Sequence, residues 1–201
     1  RRYPAADAAA PTLVLAHGAG AGEDHPWMTR VAAGLAARGI HVVTFNFPYK
    51  EAGRSLPDPG PVLEAAFAGV WKDAGAAFAG GKSMGGRIAS QAAAKGAFDP
   101  APAGLVYFGY PLHPPGKPQQ RRDRHLPAID RPMLFLHGTR DAFGSPEEMT
   151  ALTAELGPTA TLSLVDGGDH SLVRPKRQDA DGRSLEDAMD TAARWILRQR
   201  R

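Results

Sequence analysis

Short apolar runs alternate along the chain with longer segments in which apolar residues recur every three or four positions. The nearly continuous apolar runs are residues 12–18, 42–47, 104–109, 133–138 and 161–167. Such runs are typical of parallel strands that are buried on both faces. Residues 76–81 predict a weaker sixth strand, because the alanines and glycines there are poor strand formers.

The segments between these runs have the period of amphipathic helices. Their apolar faces lie within residues 27–36, 62–71, 88–93 and 185–196. Ser145 and Glu148 form a capping box that predicts another helix start, and Ser184 or Asp187 is expected to cap the last helix. Strands that alternate with helices predict an α/β fold: a doubly wound, mostly parallel sheet of about six strands, with helices on both faces.

Residues 110–131 form the longest predicted connection. They include four prolines before Leu126, which disfavour a regular helix in the first part of the segment. We therefore expect at most one short helical turn there and no multi-helix cap over a site. With 201 residues and no linker or repeat, the chain is expected to form a single domain, residues 1–201.

Composition narrows the possible partners. The formal net charge is only +3, from 24 basic and 21 acidic residues, and we interpret the terminal arginines as solvated basic tails. These are Arg1, Arg2, Arg198, Arg200 and Arg201. No nucleic-acid partner is therefore expected. No apolar stretch approaches the roughly 18 residues of a membrane helix, and residues 1–11 lack the apolar region of a signal peptide, so no membrane partner is expected either.

Cysteine is absent from the sequence. This excludes disulfides, a thiol nucleophile and cysteine-based metal sites, and a cytoplasmic location is the corresponding expectation. His25 lies beside Glu23 and Asp24, but this spacing matches no standard metal site, so no metal is predicted. The oligomeric state stays open.

The stretch AFAGGKSMGG, residues 77–86, has two interpretations. A phosphate-binding P-loop, G-x-x-x-x-G-K-[ST], would require glycine at position 76, where the chain has Ala76. GKSMG, residues 81–85, also matches G-x-S-x-G, the strand-turn-helix that presents a nucleophilic serine. The predicted strand before Ser83 and the predicted helix after it favour this second interpretation.

Two further residues support a nucleophilic serine. A serine hydroxyl needs a neighbouring base, and the base needs an acid to fix its tautomer. Asp141 and His170 each follow a predicted strand, and the chain order serine, acid, histidine is that of this fold class. Because the carboxyl ends of parallel strands lie at one edge of the sheet, we expect Ser83, Asp141 and His170 to meet there.

With these residues in place, the chain from Thr12 to Ile196 resembles the α/β-hydrolases, in a compact form without extra N-terminal strands or a large cap. In detail, HGAGAG, FNFPY and GGKSMGGR resemble a dienelactone-hydrolase-like subgroup that includes the hydrolase-like domains of the Tex30 and KAT8 regulatory complex subunit 3 proteins. Dienelactone hydrolases proper use a cysteine nucleophile, which this chain lacks, so their substrate is not implied.

The resemblance implies a role for each of these residues. Ser83 would be the nucleophile, His170 the general base and Asp141 the orienting acid. The oxyanion hole would use the backbone N–H of Met84 and a second donor near Gly18 and Ala19. No cofactor is implied, and the partner would be a small-molecule acyl substrate. Lys82 departs from the more familiar residues before the nucleophile and places a cation near the pocket.

Several other polar residues receive structural interpretations. Asp130, Asp166 and Asp169 are rival acids, but the first precedes its strand and the other two lie close to His170 in sequence. His17 is expected to hold the oxyanion loop through hydrogen bonds. The remaining residues of this kind are interpreted as surface or satisfied histidines (His113, His125, His137) and as a solvated basic face (Arg121, Arg122, Arg124). A weaker alternative for these arginines is that they steer an anionic substrate or partner.

The sequence therefore predicts a serine hydrolase that acts on an ester, thioester or amide. The alternative is a non-catalytic or weakly catalytic interaction module on the same scaffold, because fold alone does not determine function. A nucleotide-binding P-loop protein is the third possibility.

Overall fold

The computed structural model of the chain describes residues 1–179 and 182–199. The strands are β1 (Arg2–Tyr3), β2 (Thr12–Ala16), β3 (His41–Phe45), β4 (Phe78–Lys82), β5 (Gly104–Phe108), β6 (Met133–Gly138) and β7 (Ala160–Val165). The helices are α1 (Pro26–Ala36), α2 (Pro48–Glu51), α3 (Gly60–Ala74), α4 (Met84–Ala94), α5 (Pro146–Leu156) and α6 (Arg183–Gln199).

All seven strands belong to one sheet, in the order β1-β3-β2-β4-β5-β6-β7. Strands β2 to β7 run parallel, and each overlaps one of the six apolar runs in the sequence. The predicted fold class is confirmed. The chain moves outward from β2 to β3 and then returns to β4, so the order reverses between β2 and β4. In open α/β sheets the crevice at such a reversal is where ligands bind.

Two apolar layers cover the sheet. On one face Val14 and Ala16 of β2 pack in a cluster with residues of α3, α4 and α5. On the other face Leu13 and Leu15 pack with residues of α1 and α6. The alternation follows from the period of two along a strand. Both faces are therefore buried, as the continuous apolar runs indicate.

The N-terminus differs from its prediction as a solvated tail. Arg2 and Tyr3 form β1, which pairs antiparallel with β3, and the backbone N–H of Thr44 donates to the carbonyl of Arg1 at 2.9 Å. Backbone hydrogen bonds to the open edge of β3 stabilise this segment whatever its side chains. At the other end, Arg198 is exposed, while Arg200 and Arg201 lie outside the described residues.

The helix caps agree with the sequence at α5 and differ at α6. At α5 the backbone N–H of Glu148 donates to Ser145 Oγ at 3.2 Å, and the Ser145 N–H donates to Glu148 Oε2 at 2.8 Å, as predicted. Ser184 and Asp187, the predicted caps of α6, both lie inside that helix. Asp179 accepts the backbone N–H of Ser184 at 3.1 Å instead, because its carboxylate reaches the first turn from outside the helix.

The long connection carries no lid. Between Tyr110 and Arg131, a segment that is described throughout, the one helical element is the 3₁₀ turn Leu126–Ala128. The Tyr110 hydroxyl donates to the Arg122 carbonyl at 2.8 Å, and His125 Nε2 lies 2.7 Å from Ser90 Oγ on α4. The connection is thus held against α4. Among the described residues, no helix combines the length and apolar character that crossing a membrane requires.

The turn between β4 and α4 depends on glycines that allow backbones to touch. A Cβ added at Gly85 would lie 2.4 Å from the carbonyl oxygen of Ala16 on β2. A Cβ at Gly81 would lie 2.5 Å from the carbonyl carbon of Gly85. Carbon atoms do not approach so closely, so any side chain at either position would push β2, β4 and α4 apart.

We expect Gly85→Ala to lower the free energy of unfolding by about 1–3 kcal/mol through overpacking against β2. Gly69→Ala is the matched control. A Cβ at Gly69, on the exposed face of α3, meets nothing within 4 Å, so that substitution should stabilise by about 0.5–1 kcal/mol through helix propensity. Urea unfolding of the two variants measures both changes. Equal stability of Gly85→Ala and the wild type would contradict this account of the turn.

Candidate active site

Ser83 lies at the sharp turn between β4 and α4. Its backbone has φ 52° and ψ −118°, a conformation that residues other than glycine rarely adopt. Its N–H donates to the carbonyl of Phe108 at 3.0 Å, which ties the turn to β5. Strand, turn and helix thus follow each other as the G-x-S-x-G pattern predicts.

Asp141 and His170 reach Ser83 from two other strands. Asp141 follows β6, His170 follows β7, and both strands are parallel to β4. His170 Nε2 lies 2.8 Å from Ser83 Oγ, and His170 Nδ1 lies 2.7 Å from Asp141 Oδ2. The structure therefore joins the three predicted residues in one hydrogen-bonded chain at the carboxyl edge of the sheet.

The charge of Asp141 fixes the state of His170. Burial by itself raises the pKa of the Asp141 carboxyl, but hydrogen bonds from His170 and the Phe143 N–H, together with the charge of His170, outweigh it, so the net pKa is lowered. An ionised carboxylate only accepts, so Nδ1 of His170 carries the proton. Nε2 is then free to accept the proton of the Ser83 hydroxyl.

Aromatic and cationic side chains hold the segment around His170. Lys82 Nζ donates to the His170 carbonyl at 2.6 Å, and Trp27 Nε1 donates to the Ser171 carbonyl at 3.0 Å. The Phe143 ring stacks on the imidazole at 4.1 Å. At Gly109 φ is +66°, and a Cβ would lie 2.5 Å from the His170 carbonyl oxygen. Nothing in the local sequence around Trp27, Phe143 or Gly109 indicates a contact with His170, so these residues could not be predicted as part of the site.

The rival acids lie elsewhere. Asp169 is exposed and accepts the backbone N–H groups of Ser171 and Val173 at 2.7 and 3.1 Å, so it shapes the turn after His170. Asp166 is exposed, and Asp130 forms a surface ion pair with Arg131 at 3.3 Å. In the described part of the chain, the imidazole of His170 contacts Asp141 and none of these three rival carboxylates.

The predicted oxyanion residues line the same cavity as Ser83. Met84 is the first residue of α4, so its N–H has no acceptor within the helix. His17 Nδ1 lies 2.8 Å from the Gly18 carbonyl, and the Tyr49 hydroxyl donates to the Ala19 carbonyl at 2.8 Å. In a trans peptide the N–H points opposite to the preceding carbonyl, so the Ala19 N–H points away from the buried His17 ring. Ala19 thus suits the second donor better than Gly18.

The structure disfavours the P-loop interpretation. Residues 78–82 form β4, which leaves no loop before Lys82 to surround phosphates. The Lys82 ammonium is already bound to the His170 carbonyl and lies 5.7 Å from the centre of the Trp27 ring. Burial lowers the pKa of Lys82 to about 8, although the nearby Asp141 and Asp169 raise it.

The other histidines are buried more deeply than the sequence suggested. His113 and His125 have polar partners, Glu148 at 3.0 Å and Ser90 at 2.7 Å. His137 is fully buried and its Nε2 lies 2.9 Å from the Gly144 carbonyl. Its Nδ1 lies 3.7 Å from Asp141 Oδ2 and has no hydrogen-bond partner in the described ranges of the chain. The prediction that these histidines are at the surface or satisfied is therefore wrong for Nδ1 of His137.

A cavity of about 890 Å³ opens beside Ser83 and His170. Its wall combines apolar residues with charged ones, including Asp58, Glu64, Lys82, Arg87 and Arg122. Arg122 was predicted to lie on a solvated face, and this is wrong, because the fold of the long connection turns it toward the cavity. Arg121 pairs with Asp123 and Arg124 is exposed. Among residues 1–179 and 182–199, no three acidic or histidine side chains are grouped to hold a metal ion.

Comparison with known proteins agrees with this architecture. The model of a family described as alpha/beta hydrolase domain matches residues 9–199. A dienelactone hydrolase from Anabaena variabilis is 20% identical, with 98% of this chain and 88% of that chain covered and a TM-score of 0.73. A serine hydrolase without a lid from Xanthomonas campestris is 21% identical, with 96% and 85% covered and a TM-score of 0.69.

A monoacylglycerol lipase from Paleococcus ferrophilus is 16% identical, with 99% of this chain and 98% of that chain covered and a TM-score of 0.72. At these identities the structural likeness shows the fold alone. Neither the family match nor these structures distinguishes the subgroup suggested by the sequence motifs, and that resemblance stays a prediction.

The contact between Lys82 and the His170 carbonyl yields a prediction for any reaction that uses His170. Lys82→Met should lower kcat by roughly tenfold, since a charge-assisted hydrogen bond is lost. In the wild type kcat should fall as pH rises through about 8, where Lys82 loses its proton, and this decline should be absent in Lys82→Met. Lys72→Met, on the exposed face of α3, is the control. A pH profile that keeps the decline in Lys82→Met would assign it to another group.

Proposed function

Since the chain belongs to the alpha/beta hydrolase domain family, we propose that it is a serine hydrolase that cleaves a small ester, thioester or amide. The observation that carries the proposal is the hydrogen-bonded chain from Ser83 through His170 to the buried Asp141, at 2.8 and 2.7 Å, beside a cavity. This arrangement supplies a nucleophile, a base and an orienting acid within reach of a bound substrate.

In the first step Ser83 Oγ attacks the carbonyl carbon while His170 Nε2 takes the hydroxyl proton. The tetrahedral intermediate collapses, His170 returns the proton to the leaving group, and an acyl-enzyme on Ser83 is formed. In the second step His170 takes a proton from water, which attacks the acyl-enzyme. The second tetrahedral intermediate then collapses, the bond to Ser83 Oγ breaks, and His170 returns the proton to Ser83 Oγ as the acid is released. Asp141 keeps the imidazole in the Nδ1–H tautomer throughout and stabilises the imidazolium.

The backbone N–H groups of Met84 and Ala19 stabilise the oxyanion of each tetrahedral intermediate. Such a donor typically contributes about 3 kcal/mol, because it is already oriented before charge develops. Met84 is positioned by the turn at Ser83. Ala19 is positioned by the His17 and Tyr49 hydrogen bonds to the neighbouring carbonyls. No metal or organic cofactor takes part in this scheme.

The comparisons support the coarse form of this proposal. Structures with the same fold include proteins described as an esterase domain, a monoacylglycerol lipase and a serine hydrolase without a lid. The absence of lid helices between Tyr110 and Arg131, in a fully described segment, agrees with the last of these. A small-molecule acyl substrate is thus the partner we propose.

Removal of any member of the triad should abolish most of the activity toward p-nitrophenyl acetate. We expect Ser83→Ala, His170→Ala and Asp141→Asn each to lower kcat by about 10³-fold or more, because these groups act as a unit. Ser163→Ala on β7 and Asp166→Asn at an exposed carboxylate are matched controls that should keep wild-type rates.

Steady-state kinetics on folded variants provides the test. Wild-type rates in His170→Ala or Asp141→Asn would move the base or acid to another residue. A folded wild type without activity toward any acyl substrate would instead support the alternative of an interaction module on a hydrolase scaffold.

Short acyl groups should react faster than long ones. The described segment between Tyr110 and Arg131 forms no lid over the cavity. The cavity wall carries Arg87 and Arg122, which a long alkyl chain would desolvate without pairing. We expect higher kcat/KM for p-nitrophenyl acetate or butyrate than for decanoate or palmitate, without interfacial activation. A value of kcat/KM that climbs steadily beyond eight carbons would refute this, since each methylene would then be gaining about 0.8 kcal/mol of burial.

A further inference from the structure

Two arginines face the substrate cavity without a carboxylate partner. Arg87 lies on α4, one turn beyond Ser83, and Arg122 lies on the long connection. Both are half-buried, and both line the cavity that contains Ser83 and His170. Within residues 1–179 and 182–199, neither guanidinium forms an ion pair with an acidic side chain.

The guanidinium of Arg87 is energetically unfavourable in the protein without a bound ligand. Its Nε is buried and has no hydrogen-bond partner in the described part of the chain. Burial lowers the pKa of Arg87 and the positive charge of Arg122 lowers it further, while Tyr110 and Glu64 raise it. A buried donor on a charged group is destabilising when it is left unpaired. Buried polar groups in proteins nearly always have a hydrogen-bond partner, so an unpaired guanidinium that lines a cavity is a candidate ligand contact.

The backbone around Arg122 is fixed, so the proximity of the two cations is built into the fold. The Arg122 N–H donates to the Leu112 carbonyl at 2.9 Å, and the Arg122 carbonyl accepts from the Tyr110 hydroxyl at 2.8 Å. The neighbouring Arg121 is paired with Asp123 and does not line the cavity. Of these two consecutive arginines, only Arg122 is presented to the substrate.

The acidic residues of the cavity wall are already neutralised. Asp58 pairs with Arg54 at 2.7 Å, and Glu64 accepts from Lys95 at 2.6 and 2.9 Å. Oδ2 of Asp58 has no hydrogen-bond partner among the residues that the structure describes, and it would repel an anion placed against it. The favourable position for an anion is therefore beside the two unpaired arginines and away from Asp58.

We infer that Arg87 and Arg122 bind a carboxylate on the substrate, and that the enzyme acts on half-esters or related acid-bearing acyl compounds. This inference rests on the proposed hydrolase function. The carboxylate accepts from both guanidinium groups and takes no part in the bond changes at Ser83. It supplies specificity through groups that a neutral substrate would leave unpaired.

The positions of Ser83 and Arg87 guide the choice of probe. Arg87 follows Ser83 by four residues, and its N–H donates to the Ser83 carbonyl at 3.1 Å. Four residues of helix rise about 6 Å, so the two backbones lie about one helical turn apart. Half-esters of dicarboxylic acids with four to six carbons, roughly the span of one helical turn, are therefore suitable probes.

Ethyl hydrogen glutarate and ethyl glutaramate test the inference, because the amide has the same shape as the carboxylate and no charge. We expect wild-type kcat/KM to be roughly tenfold or more higher for the glutarate half-ester, mainly through KM. Arg87→Gln and Arg122→Gln should each bring this ratio close to one. Arg121→Gln, on the adjacent paired arginine, should leave the ratio unchanged. A wild-type ratio near one, or equal losses for both esters in the variants, would overturn the inference.

Binding to Ser83→Ala separates this inference from the proposed chemistry. Calorimetry on that variant should show tighter binding of ethyl hydrogen glutarate than of ethyl glutaramate, and Ser83→Ala/Arg122→Gln should lose the difference. This result would hold even if the wild type cleaved neither ester, in which case only the proposed hydrolase function would fail. Equal affinity for the two esters in Ser83→Ala would reject the carboxylate site whatever the activity.

Discussion

The close approach of β2, β4 and α4 is the constraint on which the rest of the site depends. Glycines at positions 81 and 85 let the turn pass within contact distance of the β2 backbone, and Ser83 is thereby held at φ 52°. This strain is stabilised by the packing of three elements and by the bond from the Ser83 N–H to Phe108. The hydroxyl is consequently fixed in place before any substrate arrives, and the N–H of Met84 is fixed beside it.

Charge balance is the second requirement of the site. Hydrogen bonds from His170 and from the Phe143 N–H stabilise the buried Asp141 carboxylate. The positive charge of Lys82, which donates to the His170 carbonyl, lies near the negative charge of Asp141. The contact with Asp141 fixes the tautomer of the imidazole, and the hydrogen bond from Lys82 holds the backbone of His170. The cavity wall at Arg87 differs, because the buried Nε of Arg87 has no hydrogen-bond partner among the described residues. The triad residues already have their hydrogen-bond partners, whereas Nε of Arg87 lacks one within the described residues. The proposed substrate carboxylate would supply the missing acceptor at Arg87.

The sequence predicted the parallel strands, the main helices and the meeting of Ser83, Asp141 and His170, because strand ends of a parallel sheet share one edge. Contacts that depend on loop conformation could not be predicted from the strand and helix pattern. The edge strand β1 forms through backbone hydrogen bonds, which leave no pattern in side chains. Arg122 and Arg121 are identical neighbours in sequence, and only the path of the connection decides which one lines the cavity.

The proposed mechanism depends on an acyl group that Ser83 carries during turnover. Wild-type protein mixed with p-nitrophenyl butyrate and quenched in acid, which unfolds the protein and stops deacylation, can be digested and its peptides mapped by mass spectrometry. We expect a butyryl group on Ser83 that appears within the first turnover and disappears as substrate is exhausted. This group should be absent from Ser83→Ala. Steady turnover with the acyl group on another side chain, or at wild-type rate in Ser83→Ala, would contradict this mechanism.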